Sequence, residues 1–264
     1  MFPVLFRFGR NSEHAVTTYG VALLVAVGVA IVLGLQSARQ QGLTRRRVLL
    51  CLIPAAIATL PGARLWHILL HPSIYRENPD LAWHLSAVGL GLFGGASLGC
   101  FCGMLCGLWM RLPLRTLADA ILPSVLVAAA VLKLGCFGQG CCYGRATSAP
   151  WGVRFSVASP VGLHFAAQNP FTLLTGPPPI HPVQLYEAVA YLAAVVLVTK
   201  CIQTRTPGVY AAWCVLAMST VHFVSLQLRD LTAQSEIAVI LSLAADFLLM
   251  ISAAIAITLH RVID

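Results

Sequence analysis

This 264-residue chain has little charge. Only 10% of its residues are Asp, Glu, Lys or Arg, against about 25% in soluble domains, which excludes an ordinary soluble fold. No C-x2-C pair is present, so a structural zinc site of the usual spacing is not expected. The last apolar run, 237–259, has no lysine, which removes a retinal Schiff base, and the internal repeat many transporters show is missing. The opening MFPVLFRFGRNSEH has no small-residue cleavage site after an apolar run, so it does not read as a removable signal peptide.

Apolar residues fill the space that charge leaves, at 58% of the chain. They come in runs near the roughly 20 residues a helix needs to span a bilayer, separated by polar or proline-rich breaks, and not in the ten-residue alternation of a barrel. The expected fold is an all-α integral membrane protein with about seven transmembrane helices, at 15–35, 48–70, 87–110, 117–134, 182–199, 209–228 and 237–259. Residues 1–264 read as one polytopic domain. The one long gap, 136–181, is where a small head would be built.

Orientation follows from the cations. With the N-terminus outside, the inner loops hold Arg39, Arg45, Arg46, Arg47, Arg111, Arg115, Lys200, Arg205 and Arg261. The outer side keeps Arg7, Arg10, Arg76, Arg145, Arg154 and Arg229. The bias favours N-out and C-in. The net charge of +8 is then explained by arginines beside anionic lipid, and no nucleic-acid partner is expected.

Two strings carry chemistry. The first, KLGCFGQGCCYGRATSAPWGVRF from Lys133 to Phe155, sets Gly135, Gly138, Gly140 and Gly144 close together. Glycine at that density means positive φ or close approach of another group. The second, HPVQLYE from His181 to Glu187, places Pro182 at a helix start. Gln184 and Glu187, with Tyr191 four residues on, share one face of that helix. A helix N-terminus there favours an anion such as a lipid phosphate.

Isolated charges in spans are expensive and point to function. Arg64, Lys133 and Glu187 are the strongest cases. Arg64 and Lys133 have the competing reading of snorkelling to the interface, and Asp119 that of a helix cap. Of nine cysteines, Cys51, Cys100, Cys102, Cys106, Cys201 and Cys214 read as small packing residues. Cys136, Cys141 and Cys142 form a separate cluster, with a disulfide, a reactive thiol or a metal site with His181 as the open readings. The C-x4-C-C spacing does not favour the metal.

In order along the chain, Tyr19-Gly20, Gly62-Ala63-Arg64-Leu65, Leu92-Phe93-Gly94-Gly95, Ala118-Asp119, Lys133 to Arg145 and the entire HPVQLYE string resemble the motifs of the prolipoprotein diacylglyceryl transferases. The family signature Arg-x-Gly-Asn-Phe-x-Asn-Gly-Glu-x-x-Gly-Arg runs onto Lys133–Arg145 without a gap. Gly135, Phe137, Gly140, Gly144 and Arg145 match. Lys133 replaces its arginine, Cys136 and Gln139 its two asparagines, and Cys141 its glutamate. Phe93 stands where the family has histidine, and Arg-Phe-x-x-Glu-x-x-Arg becomes His222, Phe223, Leu226 and Arg229.

The resemblance implies a multi-pass enzyme of the bacterial plasma membrane, N-out and C-in. It implies transfer of a diacylglyceryl group from phosphatidylglycerol, or a similar anionic lipid, to the lipobox cysteine thiol of a prolipoprotein signal peptide, without a cofactor or metal. The residues so implicated in catalysis are Lys133, His181, Glu187 and His222. Those implicated in substrate binding are Tyr19, Arg64, Gln139, Gly140, Gly144, Arg145, Gln184, Tyr186 and Arg229. The expected arrangement is a cationic, glycine-lined hollow beside the HPVQLYE helix. The alternative is a paralogue that binds lipid or modifies another acceptor, with Cys136, Cys141 and Cys142 in a redox or structural role.

Overall fold

The computed structural model describes residues 4–8, 14–83, 91–202, 206–232 and 236–263. A two-stranded antiparallel hairpin, β1 (Val4–Phe8) and β2 (His14–Thr17), precedes the helices. The first apolar run is expected to become helical at Ala15, but Ala15 to Thr17 belong to β2. Helix α1 (Thr18–Gln40) starts one residue later, where the Thr17 hydroxyl accepts from the Gly20 amide at 3.0 Å. That cap satisfies one of the free amides of the first turn.

Helices α2 (Arg45–Leu70), α5 (Leu114–Gln139), α8 (Val183–Cys201), α9 (Val209–Leu228) and α10 (Glu236–Ile263) follow the expected runs. With α1, six helices among the described residues are long and apolar enough to span a membrane. The third run is represented by the shorter α4 (Leu92–Trp109). Its expected beginning, at Ala87, lies outside the described residues. The chain is a multi-pass membrane protein.

Glycine sets how close α2 and α4 come. A Cβ on Gly62 would meet the Gly94 carbonyl at 2.5 Å, and one on Gly94 would meet the Gly62 carbonyl in return. In lipid, where apolar burial does not drive helices together, such small-residue contact gives dispersion its full reach. Elsewhere Leu126, Ala130, Ala188, Tyr191, Val198 and Cys214 form the buried seam of α5, α8 and α9.

At one end of the bundle α1, α2, α4 and α5 meet around Leu35, Ala38, Val48, Leu112 and Leu117. Exposed Arg39, Arg45, Arg46, Arg47, Arg111 and Arg115 gather there. Asp119, read from the sequence as a helix cap, is one: from inside α5 it caps a neighbouring helix. Its two oxygens accept from the Gly208 and Ala211 amides at 2.6 and 2.7 Å, at the start of α9. Asp119→Ala is expected to cost about 1–2 kcal/mol, read as a lower thermal midpoint of the detergent-solubilised protein.

The opposite end carries the head. Short helices α3 (Pro72–Glu77), α6 (Pro160–Gln168) and α7 (Thr172–Thr175) lie in the connections. Tyr143, Phe155, Val161 and Ile180 form a small core between α5 and α8. Backbone pairing pins it: Val153 exchanges hydrogen bonds with Ile180 at 3.0 Å, and the Arg145 amide donates to the Leu228 carbonyl at 3.0 Å.

Candidate functional site

The glycine string begins as helix. Helix α5 runs on to Gln139, and Gly140, with φ of 76°, ends it in the left-handed conformation that suits glycine. Lys133 therefore sits inside a helix and not at its end. The snorkelling reading fails for this residue: it is 9% exposed, and its Nζ donates to Glu187 Oε1 at 2.8 Å.

Glu187 is 1% exposed and is the hub of the site. Besides Lys133 it accepts from the Ser225 hydroxyl at 2.8 Å and from Arg229 Nη2 at 2.7 and 2.9 Å. Arg229, expected among the outer loop charges, is 6% exposed and faces inward from the end of α9. Two cations and one carboxylate leave the cluster with one excess positive charge. The Arg229 Nε has no hydrogen-bond partner among the described residues. A buried donor without an acceptor is costly, and one on an unbalanced cation is an anion's place.

Around this hub the second string does what its spacing implied. Gln184, Glu187 and Tyr191 are all buried on one face of α8. Gln184 Nε2 donates to the Cys141 carbonyl at 2.7 Å, which orients its amide and leaves Oε1 without a partner among the described residues. Gly144 lies against the start of α8, where its amide donates to the His181 carbonyl. A Cβ there would come within 2.7 Å of His181 and Val183. Gln139 Oε1 accepts from the Tyr19 amide at 3.4 Å, tying α1 to the same end.

The remaining expected residues divide. His181 Nδ1 lies 3.3 Å from the Tyr186 hydroxyl, which accepts from Trp151 Nε1 at 2.8 Å. His222, 6% exposed, holds Asp246 Oδ2 at 2.7 Å from its Nδ1 and stands edge-on to Phe93, with ring centroids 5.5 Å apart. Arg64 donates to the Tyr75 hydroxyl at 3.1 Å, and His67 Nδ1 lies 2.8 Å from the same oxygen. Arg145 is exposed, and its backbone carbonyl accepts from the His181 amide. A cavity of about 370 Å³ opens at the other end of the bundle, among Leu33, Ser37, Asp119 and Tyr210, away from these groups.

Ser225 escaped the sequence reading, whereas Asp246 stands out there as a charge inside the last span but without its partner. Ser225 follows His222 by three residues and precedes Arg229 by four, so the α9 face that carries all three was discernible from spacing. Asp246 reads as an isolated charge because its partner is 24 residues away on another helix.

All nine cysteines are free thiols. Cys136, Cys141 and Cys142 lie together, each offering a sulfur, with the three ligand atoms within 4.8 Å of one another. The fold thus assembles what the C-x4-C-C spacing did not announce, and it does so without a His181 nitrogen in the group. Hydrogen bonding to Cys136 and Cys141, aided by the Arg229 and Lys133 charges, holds the Cys142 thiol well below the ordinary range. Hydrogen bonding to Cys136 and Cys142, together with burial, pushes Cys141 well above it.

The family model described as "Prolipoprotein diacylglyceryl transferase" matches residues 3–259. The chain belongs to the prolipoprotein diacylglyceryl transferase family. Among its relatives is the phosphatidylglycerol–prolipoprotein diacylglyceryl transferase of Tropheryma whipplei (strain TW08/27), 30% identical over 168 residues that cover 61% of this chain and 58% of the relative. The protein of the same name from Bifidobacterium longum (strain DJO10A) is 28% identical, covering 73% and 62%. That from Rhodococcus jostii (strain RHA1) is 33% identical, covering 69% and 52%. The chain thus spans about three-fifths or less of the length of these relatives.

Within the prolipoprotein diacylglyceryl transferase family pattern, the buried hub joins parts of three motifs. Lys133 comes from the signature, Glu187 from HPVQLYE, and Ser225 and Arg229 from the α9 segment. Where the signature departs most, at Cys136 and Cys141, the thiol cluster stands instead.

Proposed function

We propose that this protein transfers a diacylglyceryl group from phosphatidylglycerol to the cysteine thiol of a prolipoprotein signal peptide, at the outer leaflet of the bacterial plasma membrane. Its N-terminus lies outside and its C-terminus inside. The orientation draws support from the exposed arginines gathered at the end opposite the hub, since such an excess belongs to the cytoplasmic face.

The observation that carries the reading is the hub's single excess positive charge beside an unpartnered Arg229 Nε. A phosphodiester bears one negative charge, so a bound phosphatidylglycerol head neutralises the cluster and satisfies the donor. Burial makes that match count, because charge interactions strengthen as water is excluded. Gln184 Oε1, an open acceptor, suits a hydroxyl of the glycerol head.

The reaction then follows the charges. The acceptor thiolate attacks the glyceryl carbon next to the phosphate, a C–S bond forms and the C–O bond breaks. The electron pair leaves on glycerol phosphate, where Arg229 and Lys133 oppose the growing charge. Glu187, already accepting from three side chains, serves to hold the two cations. His222, whose Nδ1 is engaged by Asp246, has its other nitrogen for proton transfer, and His181 is the candidate at the mouth.

Expression in a bacterium depleted of its own transferase tests the reading. Lipidated lipoprotein is expected to reappear. Accumulation of unmodified prolipoprotein, with this protein present in the membrane, would refute it. Cys136, Gln139 and Cys141 at signature positions favour a second reading, a paralogue that binds the lipid without this transfer. Selective phosphatidylglycerol binding with no turnover would establish it.

A further inference from the structure

Thiol alkylation needs a thiolate, and proton transfer to His222 or His181 is one route to it. Glu187 is occupied by three donors, and His222 is buried with Asp246. Next to the hub, however, lies a group of side chains that lipid binding leaves unused. Cys136 ends its helix buried, Cys141 is half-buried and Cys142 is exposed, so the cluster runs from the interior to the surface. It is tied to the site: the Cys141 carbonyl is the acceptor for Gln184, and the Cys141 amide donates back to the Cys136 carbonyl at 3.1 Å.

The geometry is that of a set of soft ligands. Three thiolates around zinc, at the usual Zn–S length of about 2.3 Å, stand roughly 3.8 Å from one another in a tetrahedron. The three sulfurs here already lie within 4.8 Å. Cys142 holds φ of 56°, a conformation few non-glycine residues adopt, and one that turns two consecutive cysteines into one cluster. Such local strain is typical of ligand clamps. Among the described residues no fourth His, Cys, Asp or Glu atom joins them. Three protein ligands and an open position are the pattern of a reactive metal site, in contrast to the closed four-ligand structural one.

We propose that Cys136, Cys141 and Cys142 bind a thiophilic divalent ion of the zinc class, whose open fourth position takes the acceptor cysteine of the substrate. The second half rests on the transfer reaction proposed above; the first does not. On coordination the acceptor S–H gives its proton to water at the exposed Cys142 edge, because metal-bound thiols are deprotonated. The metal-held sulfur then attacks the glyceryl carbon, the C–O bond breaks, and the neutral thioether product leaves the ion as a poor ligand. No electron is gained or lost by the protein or the metal.

The test uses the full-length protein in detergent, reduced and stripped of metal, titrated with Cd²⁺ and watched for thiolate-to-metal charge transfer. One equivalent is expected to bind with three thiolates. The Cys136→Ser/Cys141→Ser/Cys142→Ser variant should lose this band, and Cys201→Ser, in a distant thiol, should keep it. Absence of the band in the wild type overturns the proposal without requiring any variant to fold. Isolation of any two of these three cysteines joined as a disulfide from cells under non-reducing conditions also overturns it. Addition of a lipobox peptide should shift the band, and the same peptide with serine for cysteine should not. A band that ignores both peptides removes the open-position half. Metal binding that survives a failed complementation experiment separates this proposal from the transferase reading.

Discussion

Glu187→Ala is expected to be among the most damaging single changes in this protein. The carboxylate is the shared acceptor of Lys133, Ser225 and Arg229, and its loss leaves two cations buried side by side with no protein anion between them. Breaking a buried pair by removing one partner costs about 3–5 kcal/mol. For a chain of this size that is on the order of 10 °C in the thermal midpoint. The change also has a signature that simple misfolding lacks. Anionic phosphatidylglycerol should restore part of the lost midpoint by supplying a negative charge, and zwitterionic lipid should not. Thermal melts of the purified variant in each lipid check this, with no loss of midpoint as the opposing result.

Arg229→Gln is expected to have the largest effect on turnover. The glutamine leaves Glu187 its bonds from Lys133 and Ser225, so the fold is retained. The transition state, however, loses its bidentate-capable guanidinium. Removing one preorganised donor from developing charge typically costs 10²–10³ in rate, roughly 3–4 kcal/mol. Arg145→Gln is the matched comparison. Its side chain is exposed, where a charge contributes little beyond screened attraction, and its effect should be far smaller. A lipid-release assay on both variants at equal membrane abundance decides between them. Equal losses would mean that the exposed arginine, and not the buried one, meets the phosphate.

The contrast between these arginines shows where reading the sequence reached its limit. The helices were legible because spanning a bilayer demands some 20 apolar residues in a row, and a soluble fold has little use for a run of that length. The hairpin before α1 was not, since a four- or five-residue strand carries too little pattern. The HPVQLYE face was legible because helical spacing alone puts Gln184, Glu187 and Tyr191 together. What the buried charges meet was not. Lys133 and Glu187 are 54 residues apart, and Glu187 and Arg229 are 42 apart. Helix periodicity says nothing about which helices touch. Without that, Lys133 reads as a snorkelling cation and Arg229 as a loop charge, although each is the other's neighbour across one carboxylate. The cysteines follow the same logic, since a turn with positive φ at Cys142 achieves a proximity that linear spacing does not advertise.

Lipid retention measures the central claim most directly. The purified protein, exchanged into equal amounts of phosphatidylglycerol and phosphatidylcholine and then examined by native mass spectrometry, should hold phosphatidylglycerol preferentially. The Lys133→Gln/Arg229→Gln pair of changes should erase the preference. Equal retention of the two lipids by the unaltered protein would contradict a buried cluster whose extra positive charge is met by a phosphodiester.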